Sequence, residues 1–188
     1  MKSAGAARAR ELEAAGITRV QIARLVAAGK LQKLGRGLYA WPDYLGTENS
    51  ALIAVAKRAP KTIFCLLTAL SFHELTTQLP YQVWIAIGNK EHPPRLDYPP
   101  LRTVRFSEAS LRSGVEIKQV EGVPIRVTNP AKTVADCFKF RNKVGLDVAM
   151  EALRDARRER KANADDLWRY AKVNRVANVM RPYLEAIG

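Results

Sequence analysis

Apolar residues follow two different rhythms in the first forty positions. Between Gly16 and Lys30, the residues Ile22, Leu25, Val26 and Gly29 recur at i, i+3, i+4 and i+7. That is the spacing of one buried face of an amphipathic helix. Thr18 stands just before the stripe and suits an N-cap, because its hydroxyl can accept from a free amide of the first turn. An earlier helix is expected over residues 4–15, which are rich in Ala, Arg and Glu and end at Gly16. After Lys30 the helical spacing stops. Apolar ends around Gly35-Arg36-Gly37 predict a β-hairpin over residues 31–40, with Arg36 at its tip. Two helices and a basic hairpin together predict a winged helix-turn-helix.

Pro42 and Gly46 punctuate a linker after Trp41, dividing the chain into residues 1–45 and 46–188. Thr47, Glu48 and Ser50 suit the start of a helix that continues over 51–58. Residues 63–67 fit either a buried strand or the entry to a helix reaching Leu75, and periodicity leaves both open. Strands are expected over 82–87, 101–106, 115–120 and 123–127, the last two joined by a turn at Glu121-Gly122. Four prolines mark 88–100 as a surface loop. From Asn129-Pro130, a cap followed by proline at the first helical position, the pattern is helical. Helices are expected over 131–140, 145–161, 164–173 and 176–186. Strands followed by helices make the fold class α+β: an N-terminal winged helix-turn-helix and a C-terminal mixed α/β domain.

Charge then names a kind of partner. The formal net charge is +13, with eight basic and three acidic residues before position 46 and twelve against seven after 137. Both ends can attract a polyanion. Arg19, Gln21 and Arg24 lie off the helical stripe, where such side chains can hydrogen-bond guanine or adenine edges in a major groove. Val20 stands either against a thymine methyl or half-buried. Lys30, Lys33 and Arg36 are placed to touch phosphates, and Thr18 anchors the start of the helix. In the C-terminal half, Arg141, Lys143, Arg154, Arg157, Arg158, Lys161 and Arg169 fall in or beside three successive helices. They form either a solvated face or a binding patch.

The catalytic inventory is thin. Cys65 and Cys137 sit in apolar runs and read as buried thiols of a reducing compartment. His73 and His92 are the only histidines, too few for a zinc site without scattered carboxylates. No signal pattern and no apolar run of about eighteen residues occurs, so a cytoplasmic chain without membrane contact is expected. Ser71, His73 and Asp136 can be assembled on paper into a nucleophile set. A lone histidine in such a run reads better as a hydrogen-bonded core residue. No phosphate-binding loop or paired-carboxylate motif is present, and an enzyme is not expected.

Three segments carry a family resemblance. The hairpin Leu34-Gly35-Arg36-Gly37-Leu38-Tyr39-Ala40, residues 70–80 and Asn129-Pro130-Ala131-Lys132-Thr133-Val134-Ala135-Asp136-Cys137-Phe138 together resemble the AbiEi family, the antitoxins of bacterial AbiE-type toxin–antitoxin operons involved in abortive infection. Residues 141–149 and Met180-Arg181-Pro182-Tyr183-Leu184 extend the likeness over nearly the whole chain. The resemblance implies a repressor binding inverted repeats in double-stranded DNA of its own promoter. It also implies neutralisation of a partner nucleotidyltransferase toxin by the C-terminal domain, with no cofactor and no metal. A monomer in solution is expected. Such proteins usually carry a further helix before the one at 4–15, so the module here reads as truncated or reduced. The alternatives are a plain winged-helix repressor whose C-terminal domain senses a ligand or dimerises, and an antitoxin that phosphorylates its toxin.

Overall fold

The computed structural model describes residues 6–35, 37–41, 49–78, 80–96 and 98–187. Its N-terminal part begins with strand β1 (Ala6–Arg8), followed by helices α1 (Ala9–Ala14) and α2 (Arg19–Ala27) and by strands β2 (Gln32–Gly35) and β3 (Leu38–Ala40). β3 is the middle strand of three, antiparallel to both β1 and β2. This corrects the helix expected over 4–15. Ala6 to Arg8 have helix-forming side chains, yet they pair with Leu38 to Ala40, and tertiary pairing overrides local propensity.

Both helices of this part end the same way. Gly16 lies at φ +87 and donates to Glu13, while Ile17 donates to Leu12. Gly29 lies at φ +67 and donates to Val26, while Lys30 donates to Leu25. Each is a Schellman stop, which needs the left-handed backbone that glycine adopts without a Cβ penalty. Gly29 therefore terminates α2 and is exposed, rather than extending its apolar stripe. The stripe itself packs Ile22 against Leu12 and Leu31, with Ile17, Leu25, Val26 and Tyr39 half-buried around them. The linker start at Pro42, Thr47 and Glu48 lies outside the described residues.

Helix α3 (Ser50–Arg58) opens the larger part. Residues 63–67, open between strand and helix in the sequence, contain both: β4 (Ile63–Phe64) is followed at once by α4 (Leu66–Phe72). Strands β5 (Val83–Gly88), β6 (Leu101–Phe106), β7 (Val115–Val120) and β8 (Val123–Thr128) fall where expected. A short helix absent from the expectation, α5 (Glu108–Arg112), separates β6 from β7. The sheet order is β6-β5-β4-β8-β7, parallel in the pairs β5–β6 and β4–β8 and antiparallel elsewhere.

Side-chain alternation divides this sheet into two faces. Phe64, Val83, Ile85, Ile125 and Val127 pack against Leu52, Ile53 and Val55 of α3. Ile63, Trp84, Ala86, Val104 and Phe106 face a helical layer. That layer contains α6 (Pro130–Lys139), the single turn α7 (Arg141–Val144), α8 (Leu146–Arg158), α9 (Ala164–Val173) and α10 (Ala177–Ala186). α6 touches α4, α8 and α9, and every residue from Ala131 to Phe138 is buried. Mixed helices and sheets in this arrangement make the fold α+β.

Candidate nucleic-acid interface

The exposed side of α2 is built outward from its cap. Thr18 Oγ1 accepts from the Gln21 N–H at 3.3 Å, and Gln21 Oε1 accepts from the Thr18 N–H at 2.8 Å. This reciprocal capping box fixes the first turn. It also occupies the carbonyl oxygen of Gln21 and leaves the side-chain amide nitrogen as the group free to donate. Arg19 forms an ion pair with Glu13 at 2.5 Å across the turn, and Glu13 raises its pKa further. Val20 is 62% exposed and therefore not half-buried. Arg24 and Lys30 are exposed, and so is Lys33 on β2. Arg24 has no carboxylate partner among the described residues. Arg36 lies outside the described residues.

Contacts tie this part to the rest of the chain. β1 lies against α3, and the Glu11 carboxylate reaches Lys57 Nζ at 3.5 Å. The same carboxylate accepts from the Arg8 N–H at 2.8 Å, so one acidic side chain both caps α1 and meets the next element.

The C-terminal cations do not form one bare patch. Arg158 pairs with Asp155 at 2.8 Å, and Arg169 pairs with Asp166 at 2.8 Å while stacking over Tyr170. Lys161 pairs with Glu159 at 2.7 Å and donates to the His73 carbonyl at 2.6 Å. Arg141 donates to the Phe138 carbonyl, and Lys143 lies over the Phe140 ring. Arg154 and Arg157 have no carboxylate partner among the described residues. Arg154 is exposed and Arg157 half-buried on α8.

His73 and Asp136 are engaged separately, and among the described residues no hydrogen bond joins Ser71 to either. His73 Nε2 lies 2.7 Å from the Thr128 carbonyl, and burial holds the imidazole below its ordinary pKa. Asp136 instead accepts from Lys132 and from Asn174 Nδ2, the latter at 2.7 Å. Lys132 Nζ also donates to Ser110 Oγ at 3.0 Å and lies 4.5 Å from the centre of the Phe106 ring. Ser110 donates in turn to Asn174 Oδ1 at 2.8 Å. Lys132 and Asp136 are fully buried, and the network joins α5, α6 and the end of α9. Sequence reading missed it. Its one visible signal is the i,i+4 spacing of a lysine and an aspartate inside an otherwise apolar run. Cys65 and Cys137 are buried free thiols, and burial pushes both pKa values well up. Such thiols are poor nucleophiles.

Two helices and a three-stranded sheet form a small unit at the N-terminus, with Arg19 and Arg24 on the exposed side of α2. Residues 1–42 match the family described as transcriptional regulator, AbiEi antitoxin. The resemblance drawn from the sequence holds over this unit. No curated protein matches the chain. Among the described residues no helix is long and apolar enough to cross a membrane.

Proposed function

We propose that the chain is an antitoxin regulator that represses its own promoter through the N-terminal unit and counteracts a nucleotidyltransferase toxin through the larger part. The observation that carries the DNA-binding half is the outward face of α2. Val20 and Arg24 project from a helix held at both ends, and Lys33 is exposed on the hairpin. In this reading the unit is a winged helix-turn-helix, with α2 in the major groove and the hairpin along the phosphates. Arg19 exchanges Glu13 for DNA on binding, which makes Arg24 the better candidate for a base contact.

Arg24→Ala should cost about 1–3 kcal/mol on the operator and relax preference at one base pair. Lys33→Ala should weaken all sequences alike and reduce the salt slope by about one unit. Gel shifts with the upstream inverted repeats and a scrambled duplex check both. Equal binding of the wild type to the two duplexes would refute specific reading.

For toxin neutralisation, Arg154 and Arg157 are the informative pair, because their charges are not offset locally. Arg154→Glu with Arg157→Glu should reduce growth rescue from the toxin while shifting stability by less than about 1 kcal/mol, as expected of surface positions. Arg158→Glu with Arg169→Glu, which alters cations already paired, should rescue nearly as well as the wild type. Full rescue by the first variant would make the α8 cations a solvated face.

A further inference from the structure

The end of the five-stranded sheet where β5 and its parallel partner β6 both finish carries two adjoining hollows. One, of about 360 Å3, lies over a row that crosses the sheet through Ala86, Ile63, Arg126 and Ile117. Leu111 of α5 forms its wall. The other, of about 620 Å3, continues round the end of the sheet past Lys90. Lys61, Ala86 and Glu91 line both, so the two form one groove. The size is that of a small-molecule site.

Two arginines fix the rims of the groove through bonds to backbone carbonyls. Arg105 Nη1 donates to the carbonyls of Gly88, Asn89 and Glu91 at 2.8, 2.7 and 3.0 Å, fixing the loop that carries Lys90. Arg126 donates to the Lys61 carbonyl at 3.0 Å, fixing the opposite rim. The ammonium groups of Lys61 and Lys90 are left exposed, with no carboxylate partner among the described residues. Glu91, the acidic side chain of the groove, accepts from the Gly88 N–H through Oε2 at 2.8 Å, and its other oxygen has no partner among the described residues.

We propose that this groove binds a nucleotide carrying an amino-bearing base. The phosphates sit on Lys61 and Lys90, the base lies against the half-buried Leu111, and the second oxygen of Glu91 accepts from the exocyclic amine. Two exposed cations suit phosphate, an aliphatic wall suits the face of a base, and the carboxylate that lines both hollows suits a donor. The site is remote in sequence from α2 and does not depend on the DNA-binding reading.

Calorimetric titration of the full chain with ATP, adenosine and inorganic triphosphate, without added metal, tests it. ATP should bind at least about tenfold more tightly than either fragment. Lys61→Ala with Lys90→Ala should weaken ATP by about tenfold or more, as expected for lost charge-assisted hydrogen bonds. Its melting temperature and its gel shift on the operator should stay at wild-type values. Three results would each overturn the proposal: no ATP binding at millimolar concentration, triphosphate binding as well as ATP, or an unchanged ATP affinity in the folded double variant.

Discussion

Replacing Lys132 by Met should destabilise the fold by about 3–5 kcal/mol, the loss expected when one partner of a buried ion pair is removed. For a chain of this size that corresponds to a fall in melting temperature of roughly 6–20 °C. The ammonium group of Lys132 is enclosed by Asp136, Ser110 and the Phe106 ring. Without it the Asp136 carboxylate keeps Asn174 as its donor, and Oδ2 has no hydrogen-bond partner. Burial already pushes the Asp136 carboxyl up from its ordinary range, against the pull of Lys132 and Asn174. In the variant that opposing pull is smaller, so the folded-state pKa rises further above the unfolded one. The folded variant then binds the extra proton more tightly. Its stability is therefore highest below the unfolded pKa and falls as pH rises through the folded one. Thermal melts at about pH 8 and about pH 5 should show the deficit against the wild type shrinking at the lower value. Lys132→Met with Asp136→Leu should recover most of the loss, because paired removal leaves no buried charge. A pH-independent deficit would mean that Lys132 contributes through packing alone.

The same network shows where sequence reading stops. Strand 101–106 and helix 164–173 are legible because their apolar periodicity and caps are local, and the structure places both at those bounds. β1 is not legible, because its ladder is supplied by β3 more than thirty residues later. Helix α5, with five residues, is too short to show a period. The i,i+4 spacing of Lys132 and Asp136 is visible in sequence, but on an exposed helix it would be an ordinary surface pair. What makes it a buried network is the arrival of Ser110 and Asn174 from other elements. The outward face of α2 was legible as a set of residues. The ion pair of Arg19 with Glu13 was not, since it spans the turn at Gly16, whereas the use of Gln21 in the cap follows from the local Thr-x-x-Gln spacing and was there to be read.

The N-terminal unit should respond to a single core truncation by losing its function altogether. Among the described residues its core cluster is built on Leu12, Ile22 and Leu31, with Ile22 only 3% exposed. Ile22→Ala should cost about 2–5 kcal/mol, combining lost burial with the cavity left behind. A unit of about forty residues has little stability in reserve, because so small a chain buries a low fraction of its surface. That loss is therefore enough to unfold it. Ile22 also sets the rotation of α2, so the side carrying Val20 and Arg24 is presented outward only while Ile22 is seated. The contacts of β1 with α3 and of Glu11 with Lys57 are peripheral to the larger core, in which Ile53, Phe64, Ile85 and Phe138 are fully enclosed. Thermal unfolding of Ile22→Ala should thus retain the main transition within a few degrees, with a loss of helical signal matching α1 and α2. Operator binding should fall below detection in the gel shift that resolves Arg24→Ala. Rescue from the toxin should persist, since the same chain still carries the intact C-terminal part. Operator binding within threefold of the wild type would show that the unit draws its stability from the larger part, and a collapse of the main transition would show that the two parts fold as one.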